Sequence, residues 1–346
     1  MVNHQLVIWG PKKVGIIESP VPEPGAEEVL VKIKASAICT WEQRAYSGSQ
    51  QDSYPLLGGH EFSGEVVSVG PGVKNKDITA GKTVAVARLT RCGECHNCRT
   101  GKDNLCLNTR FDRVEGKPFG PGGLSEYVVA PSYQIYPFSN NVSFEEAALS
   151  EPLSCVVRSI RRANVSFGQN VLVIGAGIMG LLHGLLAKHR GATVIISEPL
   201  EHRRSKAREI GVDTVINPKE ENVVERVREL TGGLGADVVF VTAGGAAAIE
   251  EALRLVASGG TVVLYGAMYP PPMVTVDVNK IHHNEITITG TMSQTREDFL
   301  IATKLIDSGA IDLKPLISAT IPFSQVEEAF ERALDPTNYR IVVTMP

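Results

Sequence analysis

Cys92, Cys95, Cys98 and Cys106 lie in one run, RCGECHNCRTGKDNLC, and make up four of the chain's 6 cysteines. Short turns at this spacing can aim four thiolates at one point about 2.3 Å from each sulfur, the geometry of a closed, structural zinc site. Cys39, the pair His60-Glu61 and Glu151 lie outside that run and are chemically mixed. Thiolate, imidazole and carboxylate all bind zinc, and a mixed set that leaves a position open suits a catalytic metal. A third signal is Gly175-Ala176-Gly177-Ile178-Met179-Gly180, a GxGxxG that follows the apolar run VLVIG and opens a helical one. The first glycine permits a tight turn, the second lets backbone approach a pyrophosphate, and the third lets helix pack on strand. Ile178 and Met179 open the helix whose free N–H groups would face the phosphates. Glu198 ends the next strand, where a carboxylate would bond the adenosine ribose and repel a 2′-phosphate, so NAD is expected over NADP. Arg203 and Arg204 follow closely. A guanidinium there would suit NADP, but the expected reading is a solvated helix face.

These groups need elements to carry them. The first 150 or so residues read as strands with long loops: Val29 to Ala35 alternates apolar and polar, as does Glu65 to Val69, and Val84 to Ala87 leads into the cysteine loop. Leu124 to Ala130 reads as a further strand. From Asn170 strands and helices alternate, which implies a doubly wound parallel sheet. The last part is helical from Phe299, then turns into a helix at Ser324 to Leu334 and a closing strand, RIVVTM, expected to rejoin the first domain. The expected organisation is α/β and two-domain. A β-rich domain takes residues 1–155 and 296–346, with its cysteine loop at 91–107, and a nucleotide-binding domain takes 156–295.

The chain of 346 residues is 43% hydrophobic and 21% charged, with net charge −4 and no basic stripe, so nucleic acid is not an expected partner. The run Val171 to Ala187 is apolar but short, and Gly175, Gly177, Gly180 and His183 interrupt it, so no membrane span is expected. The opening MVNHQLVIWG lacks the pattern of a signal peptide, and a cytoplasmic location is expected. Clustered thiols in a reducing compartment favour metal over disulfide.

Several motifs in one order resemble the zinc-containing medium-chain dehydrogenases, in the sorbitol (polyol) and threonine dehydrogenase branch. They are GGHEFSGEVVSVGPGV from Gly58, the cysteine loop, GGLSEYVV from Gly122, SEPLS from Ser150 and the GAGIMG turn. The resemblance covers essentially the whole chain. It implies a GroES-like catalytic domain, a Rossmann domain, two zinc ions, a small alcohol or ketone substrate, and a homodimer or homotetramer. It also implies catalytic zinc ligands at Cys39, His60 and Glu61, with Glu151 either a fourth ligand or bonded through the metal's water. The expected reaction moves a hydride between a secondary alcohol (a small polyol, sugar-derived alcohol or inositol-like compound) and NAD. An L-threonine 3-dehydrogenase-like enzyme, or one for an anionic hydroxy compound, is the alternative. A non-catalytic nucleotide-binding protein is the remote one.

Two places depart from the family. Where it usually reads Cys, small residue, Ser or Thr, Asp, and shortly after a His, this chain reads Cys39-Thr40-Trp41-Glu42-Gln43-Arg44. The proton-relay hydroxyl is therefore missing from its place. Thr40, Glu42 or an ordered water would have to serve. Trp41 either lines the substrate pocket or packs in the core, and Arg44 is a candidate anchor for an anionic substrate. The second departure is Gly290-Thr291-Met292-Ser293-Gln294, where polyol dehydrogenases tend to place an arginine and an aromatic. Ser293, Gln294 and the nearby Arg296 are the residues this chain offers instead.

Overall fold

The computed structural model describes residues 1–50, 54–109 and 117–346. They form two compact units, Met1–Ser154 with Gln294–Pro346, and Cys155–Ser293.

The first unit is built on a seven-stranded mixed sheet. Its central strand, Glu28–Ala37, pairs antiparallel with Glu61–Val69, Tyr127–Pro131 and Arg340–Thr344. The closing strand Arg340–Thr344 thus lies beside a strand some three hundred residues earlier in the chain. Alternate residues point inward and give a core that includes Val31, Ile33, Phe62, Val84 and Val343, covered by Phe330 of the helix Val326–Leu334. The expected strand Leu124 to Ala130 is shorter, Tyr127–Pro131, because Leu124 and Glu126 bond instead to backbone at Leu6, Gly58, Ile33 and His4.

The second unit is a six-stranded parallel sheet in the order Thr214–Ile216, Thr193–Ser197, Asn170–Ile174, Ala236–Val241, Val256–Leu264, Thr287–Gly290. The strand order reverses beside Asn170–Ile174, the switch point where such sheets bind ligands. The apolar run divides there into the strand Asn170–Ile174 and the helix Ile178–His189, and no helix among the described residues is long and apolar enough to cross a membrane.

His183 lies on the buried face of that helix. Its Nδ1 is 2.7 Å from the Met179 carbonyl and its Nε2 is 2.9 Å from Ser159 Oγ, with the rings of Phe240 and Tyr265 each 4.5 Å away. Burial holds its pKa down at about 4. The unfolded chain takes up the proton near pH 6.5 and the folded one only near 4, so this contribution is complete above 6.5 and is lost as pH falls towards 4. By pH 5 the loss is about 2 kcal/mol. His183→Gln is expected to be less stable at pH 7 but to lose less on acidification. Urea midpoints at pH 7 and pH 5 check this, and equal pH slopes for both proteins would contradict it.

Candidate metal centres and nucleotide loop

The cysteine loop brings its four sulfurs within 4.8 Å of one another. Cys92 Sγ stands 3.9 Å from Cys98 Sγ and 3.5 Å from Cys106 Sγ. Four sulfurs set tetrahedrally about 2.3 Å from a zinc would be about 3.8 Å apart, whereas a disulfide needs about 2.05 Å. The residues therefore fit the metal. Backbone N–H groups, foremost that of Cys95, hold the Cys92 thiol down at about 6, while burial pushes the Cys98 thiol up to about 12. One divalent cation bound by all four would hold each of them as a thiolate.

The mixed set converges as well. Ligand atoms of Cys39, Glu42 and His60 lie within 4.8 Å of one another, as do those of His60, Glu61 and Glu151. Neighbouring strands deliver them. Glu61 pairs in register with Ala37, two residues before Cys39, and the Ile38 N–H bonds the Ile341 carbonyl. His60 is set by the preceding turn. Gly59 has φ +89°, and a Cβ there would lie 2.2 Å from the Leu124 nitrogen, so only glycine fits. Glu151 lies, buried, in the first turn of the helix Ser150–Arg162.

Glu42 is fully buried in the helix Thr40–Ser47, which Cys39 caps. Its Oε1 accepts from the Gly59 N–H at 2.9 Å and lies 2.9 Å from His60 Nδ1, and its Oε2 accepts from the Cys39 N–H at 3.2 Å. Burial alone would raise the Glu42 carboxyl, but the His60 ring and the backbone N–H groups of Gly59 and Glu42 outweigh it and hold it low. As an ionised acceptor Glu42 favours the ring form with its proton on Nδ1, which leaves Nε2 for a metal.

Sequence reasoning missed Arg340. It is 1% exposed, and its Nε and Nη2 reach Glu61 Oε2 and Oε1 at 2.9 and 2.6 Å. The available signal was a charge opening an otherwise apolar strand, which requires a buried partner. Trp41 is half-buried against the core and meets the His60 ring edge-on, centroids 5.7 Å apart. Thr40 is exposed and Arg44 half-buried on the same helix. Gln294 is 2% exposed, with its carbonyl held by Arg91, and Ser293 is half-buried at φ +54°. Arg296 is engaged by Asp103 at 2.9 Å.

In the nucleotide unit, Gly175 has φ +101° and a Cβ on Gly180 would lie 2.0 Å from the Gly175 carbonyl. Space over Gly177 is open except for Arg203 Nη1, 3.9 Å from where a Cβ would stand. Glu198 Oε2 accepts from the Ala176 N–H of the loop at 2.8 Å and Oε1 from the Leu200 N–H at 2.9 Å. The solvated face expected for the arginines is a correction to make. Arg204 is 7% exposed and bonds the Glu198 carbonyl at 2.9 Å, and Arg203 is half-buried toward the loop, because the helix Glu201–Glu209 packs this face inward.

Residues 25–140 match the alcohol dehydrogenase GroES-like domain, and residues 179–308 match the zinc-binding dehydrogenase family. The chain is 38% identical over 324 residues to the L-threonine 3-dehydrogenase of Pyrococcus horikoshii, covering 91% of this chain and 90% of that one. It is 30% identical over 329 residues to the sorbitol dehydrogenase of Halalkalibacterium halodurans, covering 94% of each. A zinc-binding dehydrogenase of Sinorhizobium meliloti 1021, solved bound to NADP, superimposes with TM-score 0.90 at 28% identity over 99% of both chains. Zinc and a nicotinamide cofactor accordingly belong to this protein's chemistry, with a small-molecule alcohol as substrate. The chain belongs to the zinc-containing medium-chain dehydrogenases, in the branch of the polyol and threonine dehydrogenases.

Proposed function

We propose that the protein is a two-zinc, NAD-linked dehydrogenase of a small, hydrophilic secondary alcohol, a polyol or sugar-derived alcohol, working in the cytoplasm as a homodimer or homotetramer. The carrying observation is a pair of triads that share His60, Cys39-Glu42-His60 and His60-Glu61-Glu151, with Glu42 orienting the imidazole. When bound, zinc acidifies the alcohol and the nicotinamide exchanges the hydride. The chain's own residues hold that chemistry in place. Cys39 and His60 supply a thiolate and an oriented nitrogen. Glu61 and Glu151 supply negative charge, and Arg340 steadies Glu61. We assign Glu42 to orienting His60 rather than to carrying protons, since it is buried and both its oxygens are engaged. The alcohol's proton then leaves through Thr40 or water. Trp41 packs on the His60 ring and shields one side of the centre. For assembly, the end strand Thr287–Gly290 pairs on one side only among the described residues and is largely exposed, as are Met273 and Val278.

A threonine-type reaction is the second reading, favoured by the 38% identity to a threonine dehydrogenase. Zinc analysis with NAD⁺ reduction across polyols, inositols, sugar acids and threonine tests both. Two zincs per chain with polyol turnover supports the first reading, and threonine turnover alone replaces it with the second. One zinc and no turnover removes the catalytic assignment.

Glu198 carries the cofactor preference. Glu198→Ala is expected to raise KM for NAD⁺ about tenfold or more and to narrow the preference over NADP⁺, because Arg203 stays beside the loop. Unchanged KM values for both dinucleotides would remove Glu198 from the site.

A further inference from the structure

The cysteine loop reaches beyond its own sulfurs. Asp103, buried between Cys98 and Cys106 in sequence, accepts through Oδ2 from Arg296 Nε at 2.9 Å and from the Arg296 N–H at 3.4 Å. Arg91, 8% exposed and next to Cys92, donates from Nη2 to the Gln294 carbonyl at 2.9 Å. The Arg91 N–H is in turn fixed by the Tyr133 hydroxyl at 3.1 Å, and the Tyr136 hydroxyl donates to the Arg296 carbonyl at 3.2 Å.

Gln294 is where the chain re-enters the first unit after the nucleotide unit. The residue before it, Ser293, has φ +54°, a left-handed conformation that side chains other than glycine rarely adopt. Such a residue persists where its surroundings over-determine it. The residues that follow it are held at two points of the cysteine loop: Arg91, before the first cysteine, bonds the Gln294 carbonyl, and Asp103, between the third and fourth, bonds Arg296. A third hold is the capping box of Thr295 with Asp298, which starts the helix Arg296–Asp307.

We infer that Arg91 and Asp103 are positioning residues that couple metal binding in the cysteine loop to the ordering of the return segment Gln294–Arg296. The inference rests on the reading that the loop holds zinc. With four thiolates on one ion the loop presents Arg91 and Asp103 at a fixed separation. Without the ion both lose their common frame, and the segment loses the donor and the acceptor that hold it. Coupling is reciprocal, so loosening the segment weakens the loop's hold on its metal.

The test compares full-length wild type, Cys106→Ser, Asp103→Asn, Arg296→Gln and Arg296→Lys. Zinc is counted in each, its release to a colorimetric chelator is timed, and hydrogen exchange is followed in peptides covering 291–298. A peptide covering 170–174 is the control. Cys106→Ser is expected to lose one zinc and to exchange about tenfold faster across 291–298, with the control unchanged. Asp103→Asn and Arg296→Gln are expected to release one zinc faster and to expose the same segment. Arg296→Lys, which keeps the charge, recovers most of the protection. The coupling is overturned if Cys106→Ser loses its zinc while 291–298 exchanges as in wild type, or if the charge variants release zinc at the wild-type rate. Equal zinc in wild type and Cys106→Ser would instead overturn the metal reading, and the coupling with it.

Discussion

Cys39→Ser is expected to lower kcat/KM about a thousandfold to ten-thousandfold and to reduce bound zinc from two ions to one. A serine hydroxyl stays protonated near neutral pH and binds zinc weakly, so the substitution removes the one thiolate of the mixed site. Lewis-acid stabilisation is worth several kcal/mol at the transition state, and about 4 to 5.5 kcal/mol corresponds to that range of rates. The remaining zinc belongs to Cys92, Cys95, Cys98 and Cys106, which form a separate cluster. Far-ultraviolet circular dichroism should therefore be unchanged. Glu42→Gln provides the graded comparison. It keeps every metal ligand but weakens the acceptor at His60 Nδ1, and loss of such a supporting partner costs about ten- to a hundredfold. Steady-state rates with zinc analysis check both variants. Two zincs and near-wild-type turnover in Cys39→Ser would remove the thiolate from the metal centre.

Legibility in the sequence followed the range of the interactions. The cysteine spacing and the GxGxxG turn are local, each set by a few consecutive residues, and both structures form where the sequence pointed. The alternation after Asn170 is likewise local in each strand and helix, and it gave the parallel sheet. Arg340 and Glu61 are 279 positions apart, and no periodicity links them. Only the pairing of the last strand with Glu28–Ala37 brings them together. Glu42 shows a different limit. Its place after Cys39 was visible, but its role depends on depth, and residue type does not report that a carboxylate is fully buried. Arg203 and Arg204 erred for the same reason, since a polar helix near a sheet edge reads as solvated until its packing is known. Arg296, offered as a substrate contact, is engaged by a buried aspartate from a loop almost two hundred residues earlier.

Arg340→Met is expected to cost about 3 to 5 kcal/mol of stability. Arg340 and Glu61 are respectively 1% and 0% exposed, and removing the guanidinium leaves a buried carboxylate without its bidentate partner. The double variant Arg340→Met with Glu61→Met removes both charges and is expected to regain most of that loss, since an apolar pair of similar volume is often neutral or stabilising in such a position. The same pair decides which carboxylate serves the metal. Both Glu61 oxygens are committed to Arg340, yet a Glu61 oxygen also lies within reach of the His60 and Glu151 ligand atoms. If Glu61 binds zinc, the ion becomes its partner when Arg340 is gone, and zinc-loaded Arg340→Met recovers stability that the zinc-stripped protein lacks. If Glu151 is the ligand, Glu61 stays unpaired whether or not zinc is bound, and the loss is the same in both states. Urea unfolding of wild type, the single variant and the double variant, each loaded and stripped at the catalytic site, separates these cases. A single variant as stable as wild type in both states would show that burial does not isolate Glu61 from solvent, and the ion pair would lose its structural role.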